Sequence, residues 1–478
     1  MSILAEYMEN IIGRYKEIEV LNKAYNSSKS EFVAIYGRRR VGKTFLIRQT
    51  FSQKTTFQLT GVNNATYRQQ LSNFYAAIIK QKGKDITIPK NWFDAFQQLI
   101  TILEDSNDTK KVIFLDELPW LDTPKSDFLI ALEHFWNSWA SARNDILLIV
   151  CGSSASWILN KLINNKGGLH NRVTVRIKLE PFNLLECEAF FQAKTCNFTR
   201  YQILELYMAF GGIPFYLDQV DNQLSATQNI NKLCFEENSF FRIEYKNLYD
   251  SLFRNADNHV VVVETLAQKA KGMKRDELIK ASELANGGTF SKILQELEDS
   301  GFIRKYISYG KKSNESIYQL TDFYSIFYLK FIRDSDVLDE YFWMNNIDSP
   351  SRRAWSGFAF ERVCLSHLRE IKQALGVSMI QTSISAWQNE NTQIDLLIDR
   401  RDQVINLCEI KFSINPFTID KKYAENLGNK ISSFREALQT RKAIYLTMIT
   451  TYGLAKNNYS SSMVQNELTM DSLFTKLT

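Results

Sequence analysis

Residues 37–44, Gly37-Arg38-Arg39-Arg40-Val41-Gly42-Lys43-Thr44, follow the pattern G-x-x-x-x-G-K-[ST], and that pattern does polyphosphate chemistry. Its two glycines let the backbone curl with N–H groups pointing inward. The Lys43 ammonium reaches the β- and γ-phosphates, and the Thr44 hydroxyl is a ligand for Mg²⁺. Such a loop needs a strand before it and a helix N-terminus after it. Both are legible, as the apolar run Phe32 to Tyr36 and the amphipathic run Phe45 to Phe51.

Downstream, Val112-Ile113-Phe114-Leu115-Asp116-Glu117 predicts a buried strand ending in two carboxylates. Alone, such a run marks only a strand leaving a core. Beside a phosphate loop it completes a site for ATP and Mg²⁺: Asp116 holds the cation through water, and Glu117 polarises the attacking water. A third apolar strand, Ile146 to Val150, ends in Cys151-Gly152-Ser153-Ser154. Ser153 or Ser154 either hydrogen-bonds the γ-phosphate or the water, or caps a helix. Arg172 is either a phosphate-contacting arginine, in cis or reaching a neighbouring subunit of a homo-oligomer, or half of a surface salt bridge.

At 478 residues the chain is too long for one core, and about three domains are expected. With 45% hydrophobic and 23% charged residues and only 7 prolines, the composition is that of a folded protein. No apolar run approaches the ~18 residues that span a bilayer, so no membrane partner is expected. Met1 to Asn10 carries two Glu and no basic run before an apolar stretch, so no secretory signal is expected and the location reads as cytoplasmic. Six scattered cysteines without a C-x-x-C pair, and only four histidines, argue against a zinc site. The net charge is +5, and residues 351–478 hold 16 Lys/Arg against 12 Asp/Glu, a modest surplus that suits a polyanion.

Alternation of strands and helices over residues 11 to about 180 predicts a parallel sheet covered by helices. Residues 183 to 251 read as helical, interrupted by the turn Gly211-Gly212-Ile213-Pro214. Residues 258 to 320 read as three helices (His259 to Ala270, Arg275 to Leu284, Thr289 to Asp299) and a hairpin, the order of a winged helix. Its third helix turns Phe290, Ile293, Leu294 and Leu297 inward and leaves a mixed outer face with two acids, which suits major-groove readout poorly. The hairpin offers Arg304, Lys305, Lys311 and Lys312 to phosphate, or makes a protein contact or docks within the chain. Asp348 to Ser351 reads as a boundary.

Gly13-Arg14 with Glu17, Glu19 and Leu21, the Arg-rich phosphate loop, Leu115-Asp116-Glu117, Cys151-Gly152-Ser153-Ser154 and Gly211-Gly212-Ile213-Pro214 together resemble archaeal and bacterial ATPases of the STAND class, relatives of AAA+ and origin-recognition ATPases. The resemblance covers about residues 11 to 345. It implies that Gly13 and Arg14 lie over the nucleotide base and that Pro214 contacts adenine from a helical lid. The family often carries a C-terminal domain resembling PD-(D/E)xK nucleases. The matching residues are Asp395 at the start of one strand and Glu409-Ile410-Lys411 at the end of the next, fourteen residues later. Strand alternation puts Glu409 and Lys411 on one face. There they would join Asp395 around a divalent cation, with Lys411 orienting water at a phosphodiester. Glu361, on a helix read as Gly357 to Glu370, matches the acidic residue such nucleases place before their core strands.

The fold class expected is therefore α/β: a P-loop NTPase parallel sheet (1–182) with a helical lid (183–256), a winged-helix domain with helical extension (257–347) and a restriction-endonuclease-like α/β domain (348–478). The function expected is an ATP-hydrolysing switch, with ATP and Mg²⁺ as cofactors, coupled to a nuclease-like domain with DNA as partner. The alternative is an ATP-controlled DNA- or protein-binding regulator whose nuclease-like site is inactive.

Overall fold

The computed structural model describes residues 11–82, 87–164, 167–169, 171–253, 255–311, 315–336, 339–389 and 392–477. The reading of Met1 to Asn10 and of Lys312 lies outside them. Two compact units divide between Pro181 and Phe182, and each is described by itself.

The first unit contains α1 (Tyr15–Tyr25), β1 (Glu31–Tyr36), α2 (Lys43–Thr50), β2 (Thr55–Thr60), α3 (Tyr67–Lys82), α4 (Trp92–Glu104), β3 (Lys111–Asp116), α5 (Phe128–Ser138), β4 (Ile146–Cys151) and β5 (Val175–Lys178). Its sheet has the order β2-β3-β4-β1-β5, and every neighbouring pair is parallel. A parallel sheet is covered on both faces, which explains why all six residues of β3 and of β4 are buried. Phe32, Ala34, Ile113, Leu115, Leu148 and Val150 pack with Leu99 of α4 and Phe128 of α5. Val33, Ile35, Phe114 and Ile149 are buried on the opposite side of the pleat. Each such apolar side chain stabilises the fold by about 1.5–3 kcal/mol. Because β4 inserts between β1 and β3, the C-terminal ends of all three meet at one edge, and this edge is where the chemistry-bearing loops leave. The sequence reading found these three strands and missed β2 and β5, the two edge strands.

The second unit begins with α6 (Leu184–Ala193), α7 (Arg200–Phe210), α8 (Ala226–Cys234) and α9 (Phe240–Asp250). Capping boxes start three of them: Asn183 with Glu186, Thr199 with Gln202, and Ser225 with Gln228. Next come α10 (Asp257–Ala267), β6 (Met273–Lys274), α11 (Arg275–Ser282), α12 (Gly288–Asp299), β7 (Ile303–Tyr306) and β8 (Ile317–Leu320). These three strands form an antiparallel sheet, β6-β8-β7. Phe290, Ile293, Leu294 and Leu297 of α12 are buried. The aromatic run after β8, read from sequence as an extension of the 257–347 module, packs instead on the preceding helices and the next one. Tyr324 donates its hydroxyl to the Phe241 carbonyl at 2.7 Å, and Trp343 meets Trp355 edge-on at 5.6 Å.

The remainder is α13 (Pro350–Ser366), α14 (Leu368–Ala374), β9 (Thr382–Gln388), β10 (Gln393–Arg400), β11 (Val404–Lys411), α15 (Lys421–Leu438), β12 (Ala443–Thr450) and β13 (Asn466–Thr469). The strand order is β13-β12-β11-β10-β9. β9, β10 and β11 are antiparallel, and β12 and β13 continue parallel to β11. Ile405, Leu407, Leu446 and Met448 form a core with Leu427 and Phe434 of α15. The sequence reading joined α13 and α14 into one helix. The break falls at His367, whose φ of −116° is not helical. Its buried ring has Nδ1 2.8 Å from the Val363 carbonyl and Nε2 3.0 Å from the Leu184 N–H, which donates to it. That pair of partners fixes the neutral Nδ1–H tautomer.

Candidate functional site

The phosphate loop leaves β1 at Gly37, whose φ is +143° and whose added Cβ would lie 2.3 Å from the Leu179 carbonyl oxygen. No other residue fits there. Gly42 caps α2, so the free N–H groups of that helix open toward the loop. Lys43 is buried, and its Nζ donates to the carbonyls of Gly37 at 3.0 Å and Arg38 at 2.8 Å. Burial pushes the Lys43 pKa down, opposed by the nearby Glu117 and Asp116 carboxylates. Arg38 and Val41 are buried, and Arg39 and Arg40 half-buried. Gly13 and Arg14 both have positive φ, and Arg14 Nη2 donates to the Val41 carbonyl at 3.3 Å. That segment is thereby attached to the phosphate loop.

Asp116 is 3% exposed. Its carboxylate accepts from the Thr44 hydroxyl at 3.1 Å to either oxygen, from the Cys151 thiol at 2.8 Å and from the Glu117 N–H at 3.0 Å. Burial and the adjacent carboxylate hold the Cys151 pKa well above its usual range, so the sulfur keeps its proton and donates. Glu117 sits in the left-handed region with φ 47°, a conformation that costs a non-glycine residue about 1 kcal/mol or more and that recurs at functional sites. Its Oε2 accepts from both the N–H and the hydroxyl of Ser153, each at 2.9 Å. In this structure the Ser153 hydroxyl is therefore spent on Glu117. Ser154 makes no capping hydrogen bond with its side chain.

Two residues here escaped the sequence reading. Cys151 looked like a buried strand end. Gln70, on which no sequence motif falls, is fully buried, and its amide donates to the carbonyls of Val62 and Trp120 at 2.7 and 2.9 Å, tying the loop after β2 to the turn that carries Glu117. Arg172 is exposed and makes no ion pair among the described residues, so the salt-bridge alternative finds no partner there. In the second unit Pro214 is the first residue of a one-turn helix, Pro214–Leu217. The turn before it is tight: a Cβ on Gly212 would lie 1.8 Å from the Phe182 carbonyl oxygen.

Thr44 and Asp116 offer Mg²⁺ the donor set that a hard cation takes, a hydroxyl and a carboxylate. Their convergence beside the Lys43 loop fits Mg·ATP.

The C-terminal residues also come together, but not as expected. The register pairs Leu396 with Cys408, and one step further it sets Asp395 opposite Glu409. Burial and the Glu409 charge raise the Asp395 pKa. Burial and the Asp395 charge raise that of Glu361. Glu409 is 1% exposed and already satisfied. Its Oε1 accepts from Tyr423 at 2.6 Å and pairs with Lys411 at 3.1 Å, and its Oε2 pairs with Lys430 at 2.8 Å. Burial alone would raise the Glu409 pKa, yet the Lys411 and Lys430 ammonium groups overcome it and hold it below the usual carboxylate value. Among the described residues no group of three or more His, Cys, Asp or Glu is placed to hold a metal ion. Glu361, Asp395 and Glu409 thus act on one another's charge, while two lysines and a phenol hold Glu409 in this structure.

Residues 11–220 match the family of ATPase domains found predominantly in Archaea, and residues 331–425 match a family of archaeal and bacterial proteins of unknown function. An uncharacterized protein of Methanocaldococcus jannaschii is 25% identical over 411 residues, covering 84% of this chain and 87% of that one. An uncharacterized ATP-binding protein of the same organism is 42% identical over 43 residues, 9% of this chain and 73% of that one. Among solved structures, the Walker-type ATPase of Pyrococcus abyssi superimposes with a TM-score of 0.50 at 15% identity, covering 68% of this chain and 97% of that one. That likeness is one of fold. With the strand order and the loop geometry above, the first unit has the fold of a P-loop ATPase domain.

Proposed function

We propose that the chain is an ATP-hydrolysing switch coupled to a nuclease-like, DNA-interacting C-terminal domain. The observation that carries the ATPase half is the linked set Lys43, Thr44, Asp116, Glu117 and Ser153. Lys43 binds the β- and γ-phosphates, Thr44 and Asp116 hold Mg²⁺, and Glu117 accepts the proton of the attacking water. When bound, the cation neutralises charge on the triphosphate oxygens. Ser153 holds one carboxylate oxygen of Glu117, and the other is the one offered to water. The Gly13-Arg14 segment is assigned to the base, and Arg172 to transition-state charge.

Titration with a fluorescent ATP analogue and steady-state phosphate release test this reading. Lys43→Ala should lose nucleotide binding. Glu117→Gln should keep it while turnover falls by about 10²- to 10⁴-fold, the contribution of a general base. Wild-type affinity in Lys43→Ala, or wild-type turnover in Glu117→Gln, removes the corresponding assignment.

For the C-terminal domain a second reading is favoured by a specific observation. Glu409 is neutralised by Lys411 and Lys430, which supports a module that binds nucleic acid without cutting it. Metal-dependent nicking of supercoiled plasmid separates the two readings.

A further inference from the structure

A cleft lies between β7 and the C-terminal sheet. It is lined by Arg304 and Tyr306 of β7, Glu361 and Arg362 of α13, Trp387 of β9 and Asp395 of β10. The hairpin that carries Arg304 is fixed in place. Beyond β7, Tyr309 donates its N–H to the Ala386 carbonyl at 2.7 Å and its hydroxyl to Asp399 at 2.9 Å, and its ring packs 5.8 Å from Phe434. The hairpin is therefore docked within the chain, and strand alternation splits its cations. Arg304 lines the cleft, Lys305 lies 5.8 Å from the Tyr318 ring, and Lys311 pairs with Glu315.

The charges in this cleft are brought together without being paired. Arg304 spends Nε on Gln319 at 2.8 Å, and its two terminal nitrogens make no hydrogen bond among the described residues. Arg362 donates one terminal nitrogen to the Phe358 carbonyl of its own helix at 3.3 Å, and its Nε is buried without a partner. Neither arginine forms an ion pair with Glu361 or Asp395 among the described residues. Lys271 also lines the cleft. A guanidinium held in a low-dielectric cleft without a carboxylate partner costs free energy that an oxyanion would recover through charged hydrogen bonds.

We propose that Arg304 and Arg362 form a two-arginine phosphate site, with Arg304 delivered by the docked hairpin, so that the cleft binds the phosphate group of a nucleic acid or of a smaller phosphate ester. The site goes beyond the nuclease-like reading, because it requires binding and not cleavage.

The test uses the full chain in a Lys43→Ala background, which removes the phosphate loop as a competing site. Calorimetric titration is made with inorganic phosphate and with a short single-stranded oligonucleotide carrying either a 5′-phosphate or a 5′-hydroxyl. Arg304→Gln and Arg362→Gln should each weaken phosphate and oligonucleotide binding at least about tenfold, the effect of one charged hydrogen bond. Arg304→Lys and Arg362→Lys, which keep the charge, should lose less. Equal binding of the two oligonucleotides assigns the site to internal phosphodiesters, and preference for the 5′-phosphate assigns it to a terminal monoester. Undiminished binding in both Gln variants, or no binding of either probe by the Lys43→Ala chain, overturns the proposal. So does a fall in thermal midpoint in all four variants with unchanged affinity, which marks the arginines as structural. Plasmid nicking is scored separately, so loss of the nuclease reading leaves this result standing.

Discussion

Ser153→Ala distinguishes two roles for one hydroxyl. In the structure Glu117 Oε2 accepts from Ser153 N–H and Oγ at 2.9 Å each. The substitution removes the side-chain bond and leaves the backbone one. A hydrogen bond to a charged acceptor contributes about 1.5–3 kcal/mol. Taking the lower figure, because the second donor remains, the held orientation of Glu117 loses about 1.5 kcal/mol relative to one turned toward water. If leaving Ser153 is part of the barrier, turnover rises by about tenfold, since about 1.4 kcal/mol is a factor of ten. The assay is steady-state phosphate release at saturating ATP, with affinity for a non-hydrolysable analogue measured alongside. Raised turnover at unchanged affinity supports a serine that restrains Glu117. A fall in turnover would refute it and return Ser153 to the role first read from sequence, contact with the γ-phosphate or the water.

His367 supplies a pH dependence. Burial lowers its pKa from 6.5 to about 4, so the folded state holds it neutral while the unfolded chain takes up a proton near 6.5. Its contribution to stability is fully present above pH 6.5 and is lost as pH falls toward 4, by about 3 kcal/mol in all at about 1.4 kcal/mol per pH unit. Denaturant unfolding of the wild type between pH 7.5 and 4.5 should show this slope relative to His367→Gln, and parallel curves would remove the assignment. If the nuclease-like site cuts, Asp395→Ala and Lys411→Ala each abolish Mn²⁺-dependent nicking and leave ATP turnover intact. If the wild type never nicks plasmid, the binding-module reading stands.

The phosphate loop, β1, β3 and β4 were legible because each announces itself locally, as a contiguous motif or an unbroken apolar run. β2 and β5 were not. Thr55–Thr60 mixes threonine and glutamine with apolar residues, and Val175–Lys178 is a four-residue edge strand with a single buried side chain. In the C-terminal domain β10 and β11 were legible, and β9, half exposed at the sheet edge, was not. The spacing of Asp395, Glu409 and Lys411 placed those residues on neighbouring strands. It carried no sign of Tyr423 and Lys430, which arrive on α15, nor of Arg304, which arrives on a hairpin about 90 residues upstream of Asp395. Tertiary folding alone brings such partners together, and no periodicity encodes them.

These partners make the two carboxylate sites chemically unlike. Among the described residues the donors to the Asp116 carboxylate are neutral: a hydroxyl, a thiol and one backbone N–H. A cation arriving there would meet a buried carboxylate and would have only neutral donors to displace. Around Glu409 two ammonium groups already cancel the charge. A cation arriving there must first separate buried ion pairs, leaving Lys430 without its counter-charge, and breaking such pairs costs about 3–5 kcal/mol. Glu361 and Asp395 form no direct ion pair with Arg304 or Arg362 among the described residues, although the arginines act on Glu361 from nearby. Buried charge that the protein itself satisfies marks a structural or restrained state, whereas buried charge left over marks the place where a ligand completes the electrostatics. By that criterion the C-terminal domain is built to receive an anion at its arginines more readily than a metal at Glu409.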